Sequence, residues 1–371
     1  MSLRERHPLL SYQPLRLIFQ LSYSALIITR LPYDAAVALI PSWRPDPSWT
    51  AKQTFMTRVL YSLLDMTSRV GITETLTLRK GKEGDRFQLV TPSSLDVYRG
   101  PLASKSTQPT TIGGTWFPRV PGPDVISKTV MLYFHGGAFI AGDGRDAQCG
   151  SIAAKLLEKG GADAVFSLQY RLSGYGGQNP FPAALQDALS SYLFLLNELH
   201  IPASQIILAG DSSGGNLATA LLRYLHQFEA EIGVPLPRCA VLLSPWVAPF
   251  HYNMDDNPHR STDFIPSTYP SWGAHAYADG WPGGASDPYV TPLGNPFRIS
   301  VPIFANAGTA ELLLEDITQW VEEMRKVDGN VVELNLEQAA VHDTFLSGDV
   351  IGFSESAGTV ATRIGEFVRR F

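Results

Sequence analysis

The stretch Gln205-Ile206-Ile207-Leu208-Ala209-Gly210-Asp211-Ser212-Ser213-Gly214-Gly215-Asn216 reads as an apolar strand that runs into a glycine-bracketed turn and then into a helix over 216–228. A side chain held out at so tight a reversal has a strained backbone, and the residues two before and two after it must be small. Gly210 and Gly214 meet that need, and Gly215 lets the helix lie close to the sheet. Ser212 is then the exposed tip, with Asp211 and Ser213 beside it. A strand that is apolar throughout and feeds straight into a helix belongs to a parallel sheet covered on both faces. This one stretch already predicts an α/β chain.

Outward from it the same alternation recurs. Opening strands are expected at 73–78, 87–91 and 113–117, then at 130–134, with a helix over 148–158, a strand over 164–169 and a helix over 183–199. Beyond the central stretch come strands at 239–243, 302–306 and 331–336, a helix over 313–326 and a closing helix over 356–370. The pattern predicts a mostly parallel central sheet flanked by helices, with right-handed crossovers, over residues 71–371. Residues 1–70, read as helical, and an insert at about 248–287, rich in Pro, Trp, Tyr and His, stand outside the cycle. Together they are expected to form a cap over one end of the sheet.

The second chemical signal is His135-Gly136-Gly137-Ala138-Phe139, which follows the apolar run 130–134. Acyl transfer passes through a tetrahedral oxyanion, and preorganised N–H donors stabilise it by roughly 3–4 kcal/mol each. Gly136, Gly137 and Ala138 are expected to supply such donors, joined by the N–H of Ser213, while His135 organises the loop through hydrogen bonds. Serine also needs a general base. In sheets of this kind that carry a serine nucleophile, the chain order is nucleophile, acid, histidine, the last lying beyond the final strand. Of the eight histidines only His342 lies beyond position 275, just past the strand at 331–336, and it is the expected base. The acid that orients it should end the preceding strand. Ala307-Gly308-Thr309-Ala310-Glu311 offers Glu311, ahead of Asp287, Glu315, Asp316 and Asp343, whose positions fit less well.

These motifs resemble those of the hormone-sensitive-lipase-like branch of α/β-hydrolase esterases, which carry an H-G-G-G-F loop, a Y-R-L-A-P-E-x-P-F-P-A-A block and a G-D-S-A-G-G turn. The matching residues are His135 to Phe139, Tyr170-Arg171-Leu172 with Pro180-Phe181-Pro182-Ala183-Ala184, and Gly210 to Gly215, in the same order. The N-terminal segment and Ser173-Gly174-Tyr175-Gly176-Gly177 look like fungal members of the branch. Ala138 and Ser213 replace a glycine and an alanine of the family pattern, and Glu311 stands where aspartate is usual. The resemblance implies an α/β-hydrolase fold and a serine esterase with Ser212, Glu311 and His342 as triad. Neither organic cofactor nor metal is then required.

Composition limits the partners. Only 17% of residues are charged, against about 25% in ordinary soluble domains. The net charge is −6, and no basic run offers the stripe that a nucleic acid needs. Cys149 and Cys239, in a helix and an apolar strand, are expected to be buried free thiols. The stretch 17–29 is uncharged and follows Arg4, Arg6 and Arg16, but it is shorter than the roughly 20 apolar residues that span a bilayer. It is expected to pack on the protein's own body or to touch a membrane peripherally, which places the protein in the cytoplasm or on a membrane surface. The expected reaction is hydrolysis of an uncharged, hydrophobic carboxylic ester, approached through an aromatic-rich cap, with a place in secondary metabolism. An acyltransferase or cyclase using the same site, and a non-catalytic binding module on the same fold, stay open as alternatives. The oligomeric state is not readable.

Overall fold

The computed structural model describes residues 6–371, so Arg4 lies outside the described residues. In chain order the elements are α1 (Leu15–Leu39), α2 (Ala51–Val70), β1 (Phe87–Val90), β2 (Ile112–Phe117), β3 (Val130–Phe134), α3 (Asp146–Glu158), β4 (Ala164–Gln169), α4 (Ala183–Leu193), β5 (Ile206–Asp211), α5 (Ser213–Gln227) and α6 (Glu229–Ile232). There follow β6 (Cys239–Leu243), α7 (Thr268–Ala278), β7 (Ile303–Gly308), α8 (Leu314–Arg325), β8 (Val332–Glu337), α9 (Thr344–Ile351) and α10 (Ser354–Val368). The strands form one eight-stranded sheet in the order β1-β2-β4-β3-β5-β6-β7-β8. β1 and β2 pair antiparallel to each other, as do β2 and β4, and every other pairing is parallel. This is an α/β-hydrolase fold.

The central strands are buried on both faces, and β3 and β6 are apolar at every position. Along β3, Val130, Leu132 and Phe134 pack into the larger core with α4, α5 and α8, while Met131 and Tyr133 point the other way, towards α3 and α10. β5 divides in the same manner, Ile206 and Leu208 against Ile207 and Ala209. Side chains alternate across a strand, so each face needs its own cover. The cysteines sit in the second core, both buried and free.

Two expectations change. The helix over 183–199 is α4 followed by one π-helical turn, Phe194–Glu198, in which the Leu199 N–H reaches back five residues to the Phe194 carbonyl. Residues 73–78 form no strand. Their backbone is claimed by the buried guanidinium of Arg145, which donates to the carbonyls of Thr77, Arg79 and Lys80, pairs with Glu83 at 2.9 Å and lies over the Phe87 ring. A charged side chain thus satisfies carbonyls that would otherwise seek a neighbouring strand.

α1 and α2 form an antiparallel hairpin. Thr50 and Gln53 make a reciprocal capping box at the start of α2, and Gly71, with φ 64°, ends it. Pro32 lies inside α1. α1 packs against α2, and α2 packs against α7 and α9. Asp65 ties the three layers together by accepting from Tyr23 on α1, Arg69 on α2 and Thr268 on α7.

Replacing Arg145 by Leu would leave Glu83 buried without its partner and take a donor from the carbonyls of Arg79 and Lys80, while that of Thr77 keeps Gln169. We expect a loss of about 3–5 kcal/mol, read from urea denaturation, with the far-ultraviolet circular dichroism of the folded state retained.

Candidate active site

At the end of β5 the chain reverses through Ser212, whose φ of 50° and ψ of −117° lie outside the ordinary regions for an L-residue. Its N–H donates to the Leu243 carbonyl at 2.8 Å, and its own carbonyl accepts from Trp246 at 2.9 Å. Both bonds anchor the turn to the end of β6. The bracketing glycines are required by space: a Cβ on Gly214 would lie 1.9 Å from the Phe134 carbonyl oxygen, and one on Gly210 would lie 2.5 Å from the Gly214 backbone. Only hydrogen fits at these two positions.

The loop after β3 stands beside this turn. Asp211 is buried, takes a hydrogen bond from the Tyr133 hydroxyl, and accepts the Gly136 N–H at 2.8 Å. The expectation for Gly136 is therefore corrected: its N–H is committed to Asp211 and cannot also face a substrate oxygen. The N–H groups of Gly137 and Ala138 have no acceptor among the described residues. Ser213 is the first residue of α5, so its N–H has no intrahelical acceptor. Ala138 and Phe139 hold φ values of 51° and 63°, a left-handed conformation that favours glycine. One bond that braces this segment comes from Ser213, whose hydroxyl accepts the Phe139 N–H at 3.2 Å. His135 stacks on Tyr170 with ring centroids 4.2 Å apart, and its Nδ1 lies 2.7 Å from the Gly136 carbonyl.

His342 lies between β8 and α9, and Glu311 in the turn between β7 and α8. Their closest approach is 3.8 Å, from Nδ1 to Oε2, which is an ion-pair distance but longer than a hydrogen bond. His342 Nδ1 and Glu311 Oε1 are both buried without a hydrogen-bond partner. Glu311 Oε2 is held instead by the Ser244 hydroxyl at 2.5 Å and the Gly308 N–H at 3.2 Å. Ser244 also accepts the Asp343 N–H at 3.1 Å. Asp263, from the insert, accepts the N–H of Phe264, of His342 and of Leu312. Sequence reasoning missed Ser244 and Asp263. The signal for Ser244 was its place at the very end of β6; a solitary aspartate in an aperiodic insert gives none.

Ser212, His342, Gly137 and Ala138 open into one cavity of about 120 Å³, which is lined otherwise by Asp343 and by mostly apolar side chains from the hairpin (Leu64), the insert (Met254, Phe264, Ile265) and the ends of the strands (Trp246, Leu313). The arrangement brings a hydroxyl, an imidazole and uncommitted N–H donors around one small apolar space. Among the described residues no cluster of three His, Cys, Asp or Glu side chains is placed to hold a metal ion.

Residues 131–346 match the alpha/beta hydrolase fold family. Over 116 residues the chain is 40% identical to an acetyl-hydrolase of Streptomyces hygroscopicus, a stretch covering 31% of this chain and 35% of the relative. It is 26% identical over 232 residues to an ethyl acetate hydrolase of Pseudomonas putida, covering 61% and 69%. Among solved structures, that of EstE5 soaked with p-nitrophenyl butyrate superposes with a TM-score of 0.59 at 24% identity, covering 84% of this chain and 97% of the other. At that identity the likeness is one of fold.

Burial governs the charges of the site. It lowers the His342 pKa from 6.5 to about 3. It raises the Glu311 carboxyl well above its usual range, against the opposing hydrogen bond from Ser244. Asp343 is also raised, first by burial and then by the negative charge of Asp211. A base whose pKa is depressed gains its proton only at lower pH. We therefore expect the His342 imidazole to remain neutral as pH falls from 7 to 5. Histidine-selective NMR titration checks this; a His342 midpoint at or above 6.5 would contradict it.

Proposed function

The chain belongs to the alpha/beta hydrolase fold family, and on that footing we propose that it is a carboxylic ester hydrolase that works through an acyl-enzyme on Ser212. The observation that carries this reading is the single apolar cavity into which Ser212, His342 and the free N–H groups of the Gly137-Ala138 loop all open. The relatives named acetyl-hydrolase and ethyl acetate hydrolase support hydrolysis over acyl transfer, cyclisation or simple binding.

In this mechanism His342, neutral in its buried setting, takes the proton of Ser212 as the hydroxyl oxygen attacks the ester carbonyl. The negative charge that forms on the carbonyl oxygen is met by the N–H groups of Gly137, Ala138 and Ser213, which no internal bond has claimed. Glu311, 3.8 Å from Nδ1, draws in to hydrogen-bond the imidazolium once it is charged. The alcohol leaves with the proton from His342, and water repeats the sequence to release the acid. Residues 1–70 and the insert 248–287 act as the cap. A cavity of about 120 Å³ with apolar walls suits an uncharged substrate and a short acyl group, since sites for drug-sized ligands begin near roughly 300 Å³. Kinship with fungal members and a place in secondary metabolism belong to the same proposal and rest on the sequence resemblance alone.

The reading includes peripheral attachment to a lipid surface through α1. No helix among the described residues is long and apolar enough to cross a membrane. The outer side of α1 nevertheless exposes Leu17, Ile18, Leu21 and Ile28, with Tyr12, Tyr33 and Trp43 around it. Its single acid, Asp34, is buried against Arg58, which leaves Arg16 and Arg30 to set the charge of the helix. An apolar face edged by aromatics and by Arg16 and Arg30 locally complements an anionic lipid surface, against the net charge of −6 on the whole chain. With vesicles of phosphatidylcholine and phosphatidylserine we expect co-sedimentation that weakens with salt and is lost in the Leu21→Glu, Ile28→Glu double variant. Sedimentation as a dimer without vesicle binding would assign the face to a second copy instead.

Ser212→Ala should lower hydrolysis of p-nitrophenyl acetate by at least about 10⁴-fold. The unsubstituted protein should gain one phosphonyl group, located on Ser212 by peptide mass spectrometry; activity in the variant would overturn the assignment.

A further inference from the structure

Glu311 and His342 belong to different loops, and each presents an unpartnered polar atom to the interior. Neither side chain fixes the distance between them, because among the described residues the one side chain bonded to Glu311 is Ser244, and the His342 ring has no hydrogen bond through Nδ1. The backbones of the two loops must therefore be held at the right separation by something else. The two loops bond directly where the Ala310 N–H donates to the Ala340 carbonyl at 2.9 Å, and two side chains bridge them: Ser244, which holds Glu311 and accepts the Asp343 N–H, and Asp263, which accepts from the backbone of both. Asp263, itself only 2% exposed, accepts the Leu312 N–H on Oδ2 at 2.8 Å and the His342 N–H on Oδ1 at 3.2 Å. Leu312 directly follows the acid, and the second bond is made to the base residue itself.

The same short stretch of the insert grips the acid loop twice more. Thr262 donates to the Ala310 carbonyl at 2.8 Å, and Asn257 donates to the Leu312 carbonyl at 3.0 Å. The loop carrying Glu311 is thus bound on both sides of that residue by the insert, while Asp263 reaches across to the loop of His342. We propose that Asp263 is a positioning residue: its carboxylate, planar and two-pronged, adds to the Ala310–Ala340 bond and the Ser244 bridge the tie that sets the gap between Glu311 and His342, and so decides whether the acid can steady the imidazolium. This rests on the ester-hydrolase reading of Ser212 and His342. Burial lifts the Asp263 carboxyl to about 7 against the three N–H donors that hold it, so the site keeps an acceptor there at an electrostatic cost. The groups that face it from the packed loops are Glu311 and His342.

The inference separates from a general structural role because it acts through one contact. Asp263→Asn would keep one acceptor and turn an NH₂ group against the other N–H, moving the two loops apart. A misplacement of about 1 Å can cost about 100-fold in rate. We expect kcat for p-nitrophenyl acetate to fall about 100-fold, with KM within about twofold and the acid-limb midpoint of kcat/KM shifted downwards, as the imidazolium loses its support. In a Glu311→Gln background the same substitution should cost almost nothing more, since the contact it serves is already gone. Full additivity of the two losses, or wild-type kcat in folded Asp263→Asn, would overturn the proposal. Asp263→Glu, which keeps both acceptors on a longer stem, should show the same fall in kcat at unchanged KM. Should either variant fail to fold, Asn257→Ala loosens the acid loop alone and should lower kcat in part; an unchanged value counts against the proposal. Failure of the underlying reading would show elsewhere, in an unsubstituted protein that takes no phosphonyl group and hydrolyses no ester.

Discussion

The backbone reversal at Ser212 is the constraint on which the rest of the site depends. A residue at φ 50° with a tight turn behind it cannot relax without moving β5, α5 or the end of β6, and all three are fastened to it. Phe134 brings β3 so close to Gly214 that no side chain would fit between them, and Pro245 crowds Gly215 from the β6 side. The loop after β3 is consequently delivered to the flank of Ser212 by strand packing and fixed there by the bonds from Gly136 to Asp211 and from Phe139 to Ser213. Its free N–H groups need no further steering.

Around this turn lies a concentration of buried carboxyls: Asp211, Asp263, Glu311, Glu337 and Asp343. Taking a carboxylate out of water is unfavourable unless donors replace the lost hydration. The donors are backbone N–H groups, hydroxyls and a side-chain amide: Gly136 and Tyr133 for Asp211, Gly308 and Ser244 for Glu311, Thr344 and the Asn306 amide for Glu337, the Leu312 and His342 N–H groups for Asp263 and the Leu346 N–H for Asp343. A chain with a low charged fraction has placed several of its acids where they cross-link loops. The polar framework of the site is built from main-chain N–H groups and uncharged side chains, which explains why it leaves so faint a trace in the charged fraction.

The parts of the fold governed by local pattern were legible. Continuous apolar runs marked β3, β5 and β6, and spacing imposed by hydrogen-only positions marked the Ser212 turn. Where a distant side chain decides, the pattern failed. Residues 73–78 have a strand-like alternation, yet Arg145, about seventy positions away, takes the Thr77 carbonyl and those of Arg79 and Lys80 just beyond the stretch. The N–H of Gly136 looked free in sequence, and only the fold reveals Asp211 in front of it. Ser244 and Asp263 act through backbone atoms of other loops, and such contacts follow from tertiary proximity rather than from residue type.

Pro32 has a consequence for how deep α1 can sit in any surrounding medium. Proline has no N–H, so the carbonyl of Ile28, four residues earlier, lacks its intrahelical donor on the very side of α1 that is most apolar. Hydrocarbon cannot supply the missing donor, whereas water can. The helix is thereby limited to a hydrated depth: it can float with its leucines submerged, but it carries a polar atom at mid-length that keeps it from sinking.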